Sequence, residues 1–152
     1  MPARLEASEV EQDTYNAFIS TTKMLKRAAL AVFSAQGLSE SQFQALDLLV
    51  DNGPMLMRKM SDAMLVTPAN ITGIVDRLEE KKLVNRTAST GDRRATIIEI
   101  TPEGRTLHDR VGKKKAELVR KTLSAFTKEE QKAMYNLLDK FQREMSRSIG
   151  KD

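Results

Sequence analysis

A mainly α-helical fold with one β-hairpin set into it (α+β) is what this sequence predicts, and three observations predict it. Apolar residues recur at helical spacing through most of the 152 residues. One stretch breaks that rhythm: Leu83–Ser89 and Ala95–Thr101 are β-rich runs, the second reading Thr96, Ile97, Ile98, Glu99, Ile100. Helix-starting and helix-stopping residues fall between the periodic segments, at Gly37-Leu38-Ser39, Gly53-Pro54, Thr67-Pro68, Thr101-Pro102 and Thr127.

The elements follow in order. Tyr15, Phe18, Ile19, Leu25, Val32 and Phe33 set a first helix over about Val10–Ala35, which Gly37 stops. Ser39 caps a second helix with the inward face Phe43, Leu46, Leu49 and Val50, ended by Asp51-Asn52-Gly53-Pro54. A short third helix runs from about Arg58 to Met64, with Met60, Ala63 and Met64 inward. Thr67 and Pro68 open a fourth, a capping hydroxyl followed by proline at the first helical position. Its residues Ile71, Ile74, Val75 and Leu78 stand at i, i+3, i+4 and i+7, one buried stripe. Thr90-Gly91-Asp92-Arg93 turns the hairpin. A long helix then runs from Thr101-Pro102-Glu103 to about Phe126. Thr127 and Glu130 form a capping box for a last helix with the stripe Met134, Leu137, Leu138, Phe141 and Met145. Four helices, a hairpin and two helices describe a winged helix-turn-helix with long helices at both ends.

Composition narrows the function. The chain has the length of one ordinary domain, with no repeat or Pro/Gly-rich linker to divide it. It has no cysteine, hence no disulfide, thiolate metal site or thiol switch, and its one histidine makes no His-rich metal centre. No apolar run is long enough for a membrane span, and the acidic, polar N-terminus does not read as a secretory signal, so a cytoplasmic location is expected. No nucleophile–base pairing, phosphate loop or metal-ligand spacing stands out, so neither enzymatic activity nor a cofactor is expected. The net charge of +4 permits nucleic-acid binding without requiring it. Residues 1–54 hold 4 Lys/Arg against 7 Asp/Glu, residues 55–101 hold 8 against 6, and residues 102–152 hold 13 against 8. Affinity for DNA would therefore rest on a few well-placed cations in the weakly positive middle segment.

With the apolar stripe inward, the fourth helix turns Ala69, Thr72, Gly73, Asp76 and Arg77 outward, with Asn70 at the edge. Ala69 and Gly73 are small enough for close approach to base edges. Asn70 suits an adenine edge, Thr72 a base or thymine methyl, and Arg77 guanine or phosphate. Asp76 and Glu80 repel phosphate, so the helix is expected to enter a groove by its N-terminal end, at Thr67 and Pro68. Arg93 and Arg94 lie at the hairpin tip, where adjacent cations gain from the potential of a narrow minor groove. Asp92 is placed to pair with Arg94 or Arg86 and hold the wing. A polar helix face and a basic turn also occur as plain solvated surface, and a winged-helix module that binds a protein partner is the rival reading. Met55, Met57, Met60 and Met64 are expected in the core, His108 at the surface, and Lys113-Lys114-Lys115 on a solvated helix face.

These residues resemble the MarR family of bacterial and archaeal transcriptional regulators. The resemblance lies in Val66-Thr67-Pro68-Ala69-Asn70-Ile71-Thr72-Gly73-Ile74-Val75-Asp76-Arg77-Leu78-Glu79, Leu83-Val84-Asn85-Arg86, Asp92-Arg93-Arg94 and Ile100-Thr101-Pro102-Glu103-Gly104. Four elements in order at matching spacing make it specific, and helix order extends it over nearly the whole chain. Lys82 departs from the pattern, since the family usually has glycine before the Leu-Val pair; lysine there must accept an unusual backbone conformation. The resemblance implies a homodimer whose first helix and last two helices (residues 10–35 and 102–149) interlock with those of its partner. Two heads, each residues 39–101, would then face a pseudo-palindromic site with half-sites about 34–36 Å apart. It also implies phosphate contacts from Ser41, Gln42, Arg58 and Lys59, and a small aromatic or anionic effector that changes the spacing of the heads.

Overall fold

The computed structural model describes residues 7–88 and 95–149. Six helices and three strands run in the order α1 (Glu9–Ala35), α2 (Glu40–Asn52), β1 (Met55–Leu56), α3 (Met57–Ala63), α4 (Pro68–Glu80), β2 (Val84–Ala88), β3 (Thr96–Ile100), α5 (Pro102–Leu123) and α6 (Lys128–Ile149). The chain forms two compact units, dividing after Lys115.

The first unit holds the core. Phe43, Leu46 and Leu49 of α2, Met60 of α3, and Ile71, Val75 and Leu78 of α4 meet Val84 and Ile98 of the sheet. Leu46, Leu49, Met60, Val75, Leu78, Val84, Ile98 and Val111 are fully shielded, and each contributes roughly 1.5–3 kcal/mol by leaving water. The methionines pack as expected, Met60 inside the core and Met55, Met57 and Met64 against it.

The sheet is antiparallel in the order β1-β3-β2, with Val84 opposite Ile100, Arg86 opposite Ile98, and Met55 also opposite Ile98. Strand β1 was not expected from the sequence. Two residues after Gly53-Pro54 carry no alternation, and only the edge that β3 offers makes them a strand.

Three helices end on the same device, in which the residue after the cap takes a left-handed conformation and closes two backbone bonds. Gly37 (φ 70°), Leu65 (φ 53°) and Lys82 (φ 58°) fill that position after α1, α3 and α4. After α4, Lys82 N–H donates to Glu79 O at 2.8 Å and Leu83 N–H to Leu78 O at 2.9 Å. The unusual backbone expected at Lys82 is therefore present, closing the helix at the cost of a side chain in glycine's region.

The turn after α4 also seats α5. Thr101 N–H donates to Leu83 O, and Thr101 Oγ1 donates to Lys82 O and accepts from Gly104 N–H. A methyl group on Gly104 would stand 2.2 Å from Leu83 O, so only glycine lets the helix start lie on that carbonyl.

In the second unit, Thr127 and Glu130 make the expected capping box, and Gln131 Nε2 donates to Leu123 O and Phe126 O. Helix α5 stops at Leu123, three residues short of the expected end, and these bonds occupy the carbonyls at the turn. Leu137, Leu138 and Met145 of α6 stay open, as do Val10, Tyr15, Met24 and Leu25 of α1. No helix among the described residues is long and apolar enough to cross a membrane.

Candidate nucleic-acid interface

Helix α4 is built from its cap. Thr67 Oγ1 accepts from Asn70 N–H at 3.2 Å, and Pro68 takes the first turn, where its missing N–H costs nothing. Ile71, Ile74, Val75 and Leu78 are 1%, 6%, 0% and 0% exposed, which fixes the rotation of the helix. Thr67, Pro68, Ala69, Asn70 and Arg77 are consequently exposed, and Thr72 and Gly73 half-buried. Thr72 Oγ1 donates to Pro68 O at 2.8 Å, so its hydroxyl faces a ligand as an acceptor. A methyl group on Gly73 would meet no heavy atom within 4 Å. Packing among the described residues does not require glycine there.

The acidic residue on this face is neutralised. Val84 and Arg86 point to the same side of β2, toward α4, while Asn85 and Thr87 face solvent. Arg86 Nη2 donates to Asp76 Oδ1 at 2.5 Å and to Thr72 O at 3.4 Å, and Arg86 Nη1 lies 3.3 Å from Glu79 Oε2. One guanidinium thus joins the sheet to the reading helix and offsets part of the negative charge that would repel phosphate. The sequence offered Asp92 as a partner for Arg86; the carboxylates of Asp76 and Glu79 could have been found by asking which acids lie one turn apart on α4.

Arg58 of α3 is exposed and shares an open hollow of about 460 Å³ with Pro68 and Thr72 of α4. Met57, Val66 and Ile71 give the hollow an apolar floor. Lys59 is also exposed. Ser41 is half-buried in the first turn of α2. Gln42 requires a correction. It is 4% exposed, its Oε1 accepts from Ser39 N–H at 3.0 Å, and Lys81 Nζ reaches the same oxygen at 3.4 Å. Lys81 Nζ also donates to Gly37 O. As third residue of a capping box, Gln42 binds its own helix start, next to the C-terminal end of α4, and is withdrawn from the open surface a phosphate needs. Asp92, Arg93 and Arg94 lie outside the described residues.

His108, expected at the surface, has a side chain only 14% exposed. Its Nε2 lies 2.8 Å from Asp47 Oδ1, and its ring stacks on Phe43 at 5.2 Å with planes 3° apart. Phe43 also stacks on Phe33, and Lys115 Nζ lies 5.0 Å from the Phe43 ring centre. Lys113, Lys114 and Lys115 stay exposed, as expected, with the Lys115 ammonium over that ring. Among the described residues no cluster of His, Asp and Glu is arranged to hold a metal ion.

An α2–α3–α4 core, a small antiparallel sheet and an open helix start define a winged helix-turn-helix of the kind that reads nucleic acid. A family model described as MarR matches residues 38–96. The HTH-type transcriptional regulator PecS of Dickeya dadantii is 30% identical over 125 residues, covering 80% of this chain and 75% of that protein. YusO of Bacillus subtilis superimposes with a TM-score of 0.81 at 25% identity, covering 91% of this chain and 98% of that one. A point mutant of S. aureus MepR bound to an oligodeoxyribonucleotide has the same fold, with a TM-score of 0.68 at 20% identity, over 87% of this chain and 97% of its own. The chain belongs to the MarR family of winged helix-turn-helix transcriptional regulators.

Proposed function

We propose that this chain is a homodimeric, sequence-specific DNA-binding regulator, acting as a ligand-responsive repressor on a pseudo-palindromic operator from the cytoplasm. The observation that carries the reading is the open face at the start of α4: exposed Thr67, Pro68, Ala69 and Asn70, a Gly73 that packing does not require, and Asp76 neutralised by Arg86. Such a face admits the floor of a major groove, where Asn70, Thr72 and Arg77 read base edges. Arg58, Lys59 and Ser41 hold phosphates, and Arg93 and Arg94 enter the neighbouring minor groove. The name of a similar protein, the HTH-type transcriptional repressor MdtR of Bacillus subtilis (33% identical over 95 residues), supports repression, and the open apolar residues of α1 and α6 support a dimer. Regulation follows if an aromatic or anionic effector binds one head spacing better than another. The role needs no catalytic group and no cofactor.

Selection of bound sites from a random duplex pool at near-physiological salt tests it. The expected product is an inverted repeat with half-sites one helical turn apart; recovery without sequence preference removes the proposal and leaves a protein-interaction module. Gly73→Ala checks the face itself. The added methyl meets nothing among the described residues, so the melting temperature holds or rises while operator affinity falls. Equal affinity places the DNA elsewhere.

A further inference from the structure

Five glycines lie among the described residues, and four have a reason in the backbone, the packing or the reading face. Gly37 and Gly53 take positive φ, Gly104 sits against Leu83 O, and Gly73 lies on the open reading face. Gly112 has none of these. It stands inside α5, its φ is not in the left-handed region, and a methyl group there would meet nothing within 4 Å. Glycine inside a helix weakens it relative to alanine, because its backbone has more freedom to lose.

Its place in α5 gives the weakness a use. Gly104, Leu107, His108, Val111 and Lys115 form one stripe toward α2 and the sheet, and all but the last are held by packing or short contacts. Among the described residues Lys115 is held by its ammonium over the Phe33 and Phe43 rings, a contact that breaks without opening the core. The first compact unit ends at that residue. Gly112 follows the last buried residue of the stripe and precedes the releasable one.

We propose that Gly112 is a bending point in α5, with Lys115 as the contact that releases when the helix bends, letting the reading heads of a dimer take more than one spacing. The inference rests on the dimeric DNA-binding reading above. A helix bends most easily where one residue lacks a side chain and a neighbouring anchor yields.

The chain has no cysteine, so Asp51→Cys supplies a single spin-label site on the exposed end of α2. Electron–electron dipolar spectroscopy on the full-length labelled protein then reads the distance between heads, with and without Gly112→Ala. A broad distribution that narrows in the alanine variant, with dimer and melting temperature retained, supports the hinge. Equal widths overturn it. A lower melting temperature or a weakened dimer also overturns it, because glycine would then serve packing. No dipolar signal in the parent protein removes the dimer itself, and the hinge with it. Amide exchange gives a readout free of the label and of DNA: residues 113–116 should exchange about fivefold more slowly in Gly112→Ala, the helix-propensity difference expressed as a ratio. Unchanged exchange refutes the bending point.

Discussion

Replacing Arg86 by methionine keeps most of its aliphatic stem and removes the guanidinium that holds Asp76 at 2.5 Å and Glu79 at 3.3 Å. The three side chains are 27%, 46% and 42% exposed, so solvent screens much of the Coulomb energy. Two contacts from one partly buried cation are worth about 1–2 kcal/mol under that screening. For a chain of this length each kcal/mol moves the melting temperature by about 2–4 °C, so Arg86→Met should melt roughly 2–8 °C lower. A second effect falls on DNA. The uncovered Asp76 carboxylate faces phosphate through water at a cost of about 1 kcal/mol, or about fivefold in operator affinity. Thermal denaturation by circular dichroism and anisotropy titration of a selected operator measure the two effects. Adding Asp76→Asn should restore most of the DNA affinity and little of the stability, because it removes the repulsion without rebuilding the tie to β2. Unchanged melting and unchanged affinity in Arg86→Met would refute the reasoning. Affinity that stays low in the double variant would show that Arg86 positions the helix and does not act by neutralising it.

Lys82→Gly should stabilise the chain by about 0.5–1 kcal/mol in a melting experiment, since glycine accepts φ 58° without the side-chain clash. Gly104→Ala should cost about 1–3 kcal/mol or prevent folding, because its methyl would stand 2.2 Å from Leu83 O; a melting temperature equal to the parent's would contradict that contact. The start of α1 should depend on pH. The backbone N–H and hydroxyl of Ser8 donate to the Glu11 carboxylate and hold it below the usual carboxylate range. A carboxylate with a depressed folded pKa stabilises fully above its unfolded value, and the gain is lost as pH falls through the folded one. Amides of the first turn of α1 should therefore lose exchange protection in acid, and Glu11→Gln should remove that dependence.

How much was legible in the sequence follows from the range of the forces involved. Caps, breakers and apolar spacing act within one helical turn, so the sequence by itself determined the helices, the buried stripe of Ile71, Ile74, Val75 and Leu78, and the open face opposite it. The matching motifs carried the family. Lys82 in a glycine position was readable too, because backbone sterics are local. What the tertiary structure decided involves partners far apart in the chain. Two residues became β1 because β3 offered them an edge. Gln42 came to lie beside Lys81, 39 positions on, and His108 found Asp47 and Phe43, 61 and 65 positions away in number. Arg86 met Asp76 and Glu79 because β2 places alternate side chains against α4. A charge in a sequence shows that a partner is wanted; only the packed fold, by bringing carboxylate and guanidinium within hydrogen-bond reach, decides which one it is.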